Sequence, residues 1–555
     1  MTILRRVERK NRCCMEGMLV RSNRPEWNKI RSLAIRPAAA MAFLFMAACG
    51  NPSEPEDAAT APAAPAAQQA SFRLTLKPVL DETNEVAAIE VHSVIDGPLE
   101  DEAAPFSIAA PVVYANVFGV ADRVENLQVT DANGAIALTV EEDAPVPGGF
   151  PYFRHWRAQR DVEFPVTISY RSAVQPPDSP GGPAFGIRPS KGGVSGAGSG
   201  FLVIPENVVS GVSHVEWDLS AFGDGASAVT TFGEGAFELE APPAALMQGW
   251  YIAGLVERYP AEGDRNGFSA AWLGDFPFDE HAEMEFIGGA YEYLGDFFAY
   301  LDPAPRYRVF MRQLDTPPYG GATALANSFM LSRGPARPDE AGQTGPRSTF
   351  FHEMIHQWVG GIDAPYGVSS WFSEGLTTYY THVLPMRGGF TSIDEFAEGI
   401  NGLSKSYFGN PARTMTAQEI TEVGFGTNAN DIRHIPYQRG ALYFADLDSK
   451  IRAASGGARN LDIFMREIFE RREADPDFTF NHDAWIELVE AETGAYAKEQ
   501  FESVILDGAV IAPASDAFGP CFATRDIVHE VDGAALDGVE WVRVEGVADE
   551  ECRNG

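Results

Sequence analysis

Phe351-His352-Glu353-Met354-Ile355-His356-Gln357-Trp358 is the stretch that decides how the rest of the chain is read. It has the form H-E-x-x-H. Histidines four apart lie one turn from each other on a single helix face. That spacing lets both imidazoles reach one metal ion, with Glu353 placed to take a proton from a bound water. A surface helix with two satisfied histidines would carry the same short string, so the surroundings must decide.

Downstream runs Ser369-Ser370-Trp371-Phe372-Ser373-Glu374-Gly375-Leu376-Thr377-Thr378-Tyr379-Tyr380. A protein-bound zinc ion usually takes three ligands and leaves a fourth position for water. Glu374, early in a second apolar helix, can be the third ligand. A solvated helical Glu is the commoner fate of such a residue, but Trp371, Phe372 and Leu376 suggest a helix packed on the first. Further on, His434-Ile435-Pro436-Tyr437-Gln438-Arg439-Gly440 is expected to open another helix, with Pro436 before the helical run. Tyr437 is a packing aromatic there or, held over the metal, an O–H donor to an oxyanion.

With these residues the chain resembles the gluzincin metallopeptidases. The branch is that of glycyl aminopeptidase and, more distantly, aminopeptidase N and leukotriene hydrolase. Phe351-His352-Glu353-xx-His356-x-Trp358 followed by Trp371-Phe372-Ser373-Glu374-Gly375 is similar to their zinc helix and third-ligand helix. Tyr437-Gln438-Arg439-Gly440 resembles the Tyr-x-Lys-Gly stretch that carries their catalytic tyrosine. The resemblance implies one zinc ion on His352, His356 and Glu374, with Glu353 and Tyr437 as catalytic residues and a peptide or protein as substrate. It covers about 286–508.

Two departures stand out. Seventeen residues separate His356 from Glu374, one fewer than is usual in the aminopeptidase N branch. Gly360-Gly361 and Pro365-Tyr366-Gly367 mark this connection as a loop that tolerates the change. The second departure lies at 320–328. There the relatives carry an edge strand with a Glu that binds the substrate's free amine, and this segment has no acidic residue. Resemblance favours an aminopeptidase; the missing acid favours a zinc endopeptidase. A third reading is a non-catalytic, peptide-binding surface lipoprotein on a peptidase fold, against which the complete ligand set and Glu353 argue.

The 555 residues carry a net charge of −36. Residues 1–48 hold ten Lys and Arg against three acids, so the remainder sets 32 basic against 75 acidic residues, a balance of −43. Such a surface repels nucleic acid and anionic membrane and keeps the protein soluble.

The leader explains the basic start. Residues 38–48 form an apolar run of signal-peptide length, too short to span a bilayer. Met46-Ala47-Ala48-Cys49 resembles a lipobox with Cys49 lipidated; the alternative is an ordinary cleavage site beside a chance cysteine. Gly50 follows, as in outer-membrane lipoproteins. The expectation is therefore an exported outer-membrane lipoprotein facing the periplasm or cell exterior, touching membrane only through its anchor. Residues 49–70, rich in Pro, Ala, Glu and Gln, read as a disordered tether.

Cys521 and Cys552 are the only cysteines beyond the leader and Cys49, and in an exported protein they suggest a disulfide. The region 71–240 alternates apolar and polar residues between dense turn signals, for example at Phe72, Leu74 and Leu76 and at Phe164, Val166, Ile168 and Tyr170. It reads as a β-sandwich-like domain, with further strands at 87–95 and 201–204. A helix is expected at 279–301, strands at 307–314 and 322–331, and helix again from Tyr437 to about 472. Ser392-xx-Glu395 and Thr416-xx-Glu419 are capping boxes that open short helices. The whole is a multi-domain α+β chain: a β-rich N-terminal domain at 71–240, a thermolysin-like zinc metallopeptidase domain with an α-helical C-terminal lobe at 241–512, and a tail at 513–555. Nothing in the sequence sets an oligomeric state.

Overall fold

The computed structural model describes residues 71–555, apart from 147–149, 178, 180–184, 318, 320, 336–341, 343, 365, 424–429, 532 and 555. The expected leader at 1–48, Cys49 and the tether lie outside the described residues.

The alternation in the N-terminal part does what period two requires. Along Ser71–Leu80, Phe72, Leu74 and Leu76 are buried while their neighbours face outward. This strand runs parallel to Val212–Trp217 and antiparallel to Val86–Ile95 in a seven-stranded sheet. Its inner face shares one core with Ile108, Ala110, Val112 and Trp156 of a second sheet, built on Ser107–Tyr114 and Tyr152–Ala158. Two sheets closed on one apolar layer make a sandwich. Only part of the expected 201–204 strand forms. A 3-10 turn occupies Gly198–Gly200, and pairing begins at Ile204–Pro205.

A third sheet, from Arg188–Ser190 to Trp250–Gly254, leads into the sheet that carries the site. The latter runs in the order Glu257–Tyr259, Phe268–Leu273, Tyr307–Gln313, Ser328–Arg333, Ala322–Leu325. Its inner strands are buried on both faces. Ala271, Leu273, Phe310 and Met330 pack toward Trp250 and Ile252. Phe268, Ala270, Trp272, Val309, Met311, Phe329 and Leu331 pack toward the helices.

Those helices are α1 (Glu280–Phe298), α2 (Arg347–Val359), α3 (Tyr366–Arg387), α4 (Ile393–Phe408), α5 (Ala417–Val423), α6 (Asn430–Ser455), α7 (Leu461–Ala474), α8 (His482–Thr493) and α9 (Tyr496–Phe501), with a short α10 (Asp549–Asn554) at the end. Asp279 caps α1 through the Ala282 N–H, and the expected capping boxes at Ser392 and Thr416 both form. After the helices, Phe522–Val531 and Ala534–Arg543 pair as a hairpin. Asn401 of α4 clamps that hairpin by exchanging two hydrogen bonds with the Trp541 backbone, and Cys521 and Cys552 are joined in a disulfide.

Three expectations need correction. Residues 322–331 are a tight hairpin, Ala322–Leu325 and Ser328–Arg333, because Asn327 takes the left-handed conformation at φ 54°. α6 starts at Asn430, so Pro436 lies inside it, and it ends at Ser455, where Gly456 and Gly457 adopt positive φ and separate it from α7. α3 starts at Tyr366, so Tyr366 and Gly367, expected in the connecting loop, are its first two residues and Glu374 lies well inside the helix.

Candidate metal centre

α2 is held from all sides before it offers anything to a ligand. Its first residue, Arg347, donates to both carboxylate oxygens of buried Glu283 on α1 at 2.9 and 3.0 Å and lies 3.6 Å from the centre of the Phe286 ring. Phe350, Phe351, Met354, Ile355 and Trp358 are buried, with Trp358 stacked on Phe298 at 5.2 Å. Tyr307 donates its hydroxyl to the Glu353 carbonyl at 2.9 Å. The apolar residues take the inner face of the helix, so His352 and His356 take the face toward α3.

On α3, Glu374 meets them. Its Oε2 lies 3.3 Å from Nε2 of His352 and 3.3 Å from Nε2 of His356. The two imidazole nitrogens are 3.2 Å apart. These three residues form a group able to hold a metal ion. Two histidines and a carboxylate are a familiar donor set for a small borderline cation. With bonds of about 2.0–2.1 Å in tetrahedral geometry, adjacent donor atoms stand about 3.3 Å apart, which is the spacing found here. The side chains keep 16%, 19% and 13% of their surface exposed, so the centre is open to solvent on one side.

The electrostatics fit the same purpose. Burial pushes the Glu374 carboxyl up, but His356 and His352 beside it outweigh that and hold it well below the usual carboxylate range. Burial likewise raises Glu353, and the two histidines only partly offset it. Glu353 sits one residue along α2 from the first ligand, 8% exposed.

Two contacts tie α2 to the hairpin formed by Ala322–Leu325 and Ser328–Arg333. The Ala324 N–H bonds to the Glu353 carboxylate, and the Asn327 N–H donates to Gln357 Oε1 at 3.1 Å. Glu353 and Gln357 are one turn apart, so together they dock the hairpin alongside the metal ligands. The edge strand Ala322–Leu325 carries no acid, and the Thr323 hydroxyl bonds to the Ala322 carbonyl at 2.7 Å.

Tyr437 comes from α6. Its ring stacks on the His352 imidazole at 5.6 Å with an interplanar angle of 17°, and His434 one turn earlier meets it edge to face at 5.9 Å. The structure therefore brings His352, Glu353, His356, Glu374 and Tyr437 together. Sequence reasoning passed over three neighbours. Gln357 was visible only as part of the motif. Thr377 and Thr381 follow Glu374 by three and seven residues, a helical spacing that puts them on its face of α3.

Residues 346–441 match the family profile described as M61 glycyl aminopeptidase. All five residues fall inside that segment. Among solved structures the chain is similar to an aminopeptidase N family protein from Idiomarina loihiensis, at 15% identity over 84% of this chain and 81% of that one, with a TM-score of 0.62. It is also similar to an M1 zinc metallopeptidase from Deinococcus radiodurans (16%, 80% and 95%, TM-score 0.47) and to yeast leukotriene A4 hydrolase (13%, 80% and 68%, TM-score 0.49). No curated protein matches. The first of these structures shows the multi-domain α+β fold, and the profile match bears out the resemblance to gluzincin, aminopeptidase-like metallopeptidases.

Proposed function

We propose that this chain is a zinc-dependent metallopeptidase that hydrolyses peptide bonds, most simply as an aminopeptidase. The observation that carries the reading is the trio of donor atoms 3.2–3.3 Å apart with Glu353 on the same helix as two of them. His352, His356 and Glu374 would hold one zinc ion. When bound, zinc lowers the pKa of a water and polarises the scissile carbonyl. Glu353 takes the proton released by that water and passes it to the leaving amine. Tyr437, oriented by its stacking on His352, donates its hydroxyl to the developing oxyanion. Elemental analysis tests the ligand set. About one zinc per chain is expected in wild type and little in His356→Ala or Glu374→Ala; mutants that keep full zinc would exclude it.

One observation favours endopeptidase action as a second reading. An α-ammonium in a partly desolvated cleft needs a carboxylate partner, and the edge strand Ala322–Leu325 offers none. Its backbone can pair with an extended peptide whether or not a free terminus is present. Comparing a peptide with its N-acetylated twin separates the two. A large loss of kcat/KM on acetylation supports the aminopeptidase, and equal rates support the endopeptidase.

We further infer that the protein is exported and anchored by lipid at Cys49, following a signal segment at 1–48 and a tether at 49–70. The leader sequence motivates this, and the Cys521–Cys552 disulfide suits an oxidising compartment. A Cys49→Ser variant is expected to leave the membrane fraction or remain unprocessed; unchanged membrane association would contradict the anchor. The boundaries near 240 and 512 are part of the same proposal.

A further inference from the structure

We propose that Thr377 and Thr381 are positioning residues that set the tautomer and orientation of both histidine ligands. This rests on the zinc reading above. α3 then supplies the third ligand and both orienting groups from one face, at positions 374, 377 and 381.

The direction of the hydrogen bonds sets the tautomers. A hydroxyl has one proton to give. Thr381 gives its proton to the Thr377 carbonyl at 2.8 Å. What its oxygen presents to His352 Nδ1, 3.5 Å away, is a lone pair. Nδ1 of His352 therefore carries the ring proton and leaves Nε2 bare. That bare Nε2 is the atom that faces Glu374 and His356.

His356 follows the same logic. Its Nε2 faces His352 Nε2 at 3.2 Å and Glu374 Oε2 at 3.3 Å, and it stays bare when the three atoms share a cation. Its proton then sits on Nδ1, 3.3 Å from the Thr377 hydroxyl oxygen, which accepts it. Thr377 is fully buried and Thr381 is 8% exposed, so little water competes for either contact.

Histidine ligands usually give this second proton to a carboxylate, a backbone carbonyl or water, and losing such a partner weakens metal binding about 10–100-fold. A threonine hydroxyl supplies the geometry without a negative charge. It orients the ring but draws the proton less, so the imidazole remains a weaker donor than one backed by a carboxylate.

The test is zinc affinity of the full protein, measured by competition with a chromogenic chelator, beside the thermal midpoint of the zinc-free form. Thr377→Val and Thr381→Val keep shape and remove the hydroxyl. Each is expected to weaken zinc binding about tenfold or more with a zinc-free midpoint near wild type. Thr377→Ser and Thr381→Ser restore the hydroxyl and are expected to keep affinity close to wild type. Should a valine variant melt early, its serine counterpart decides: affinity kept supports the hydroxyl, and affinity lost contradicts it. Valine variants with wild-type affinity, or serine variants as weak as valine, would overturn the threonine role alone. A wild-type protein that holds no zinc would overturn this proposal together with the reading beneath it.

Discussion

Gly375 and Gly440 touch backbone to backbone where α3 crosses α6. A Cβ on Gly375 would stand 2.5 Å from the Gly440 Cα, and a Cβ on Gly440 would stand 2.4 Å from the Trp371 carbonyl oxygen. Gly375 follows Glu374 directly, and Gly440 lies three residues after Tyr437. The approach of the two helices thus sets how near the candidate third ligand and the tyrosine come to one centre. Only glycine permits it, despite its cost inside a helix.

Gly440→Ala therefore tests packing and site together. Alanine is the better helix former by about 1 kcal/mol, so an exposed site would gain stability. Here the clash is expected to win and to cost about 1–3 kcal/mol, as overpacked cores do. Thermal unfolding should show a lower midpoint, and turnover should fall with it. A stabilised, fully active variant would mean that the crossing has slack.

Tyr437→Phe removes one oxygen and keeps the ring that stacks on His352. Loss of an oxyanion donor typically lowers kcat by about a hundredfold or more. KM and zinc content should change little, because neither depends on that hydroxyl. Steady-state kinetics beside zinc analysis checks this, and unchanged kcat would return Tyr437 to a packing role.

Much of this was legible in the sequence, for local reasons. Helical periodicity alone puts His352 and His356 on one face, and period-two alternation marks Ser71–Leu80 and Val166–Ala173. Ser392 and Thr416 announced their caps by composition. Less legible were features set by tertiary structure. The 322–331 hairpin hid because its turn uses Ala326-Asn327, without the glycine that usually signals one. α6 begins six residues before Pro436, where packing carries the helix through a residue that propensity would put at its start. The partners of His352 and His356 depend on where α3 lies against α2, so Thr377 and Thr381 looked like ordinary helix residues.

His155 gives the N-terminal sandwich a pH dependence. Its Nδ1 lies 2.9 Å from Glu206 and its Nε2 3.1 Å from Asp143. Burial pushes the ring's pKa down, but the two carboxylates outweigh burial and raise it above the usual histidine value. The folded state then binds the proton more tightly than the unfolded chain. The stabilisation is full below the unfolded value of about 6.5 and is lost as pH rises through the higher folded value. Thermal midpoints of wild type and His155→Gln should differ at about pH 6 and converge toward pH 9. A constant gap across that range would contradict the assignment.

In the proposed function a metal-activated water, served by Glu353, cleaves peptide bonds. That function is tested most directly by incubating zinc-loaded wild type and Glu353→Gln with a mixed peptide library and reading the products by mass spectrometry. The substituted amide keeps the side chain's shape but cannot take the water's proton. Cleavage by wild type is expected, with a variant that holds zinc and its fold but has lost nearly all activity. No cleavage by zinc-loaded wild type, or equal cleavage by the variant, would contradict that function.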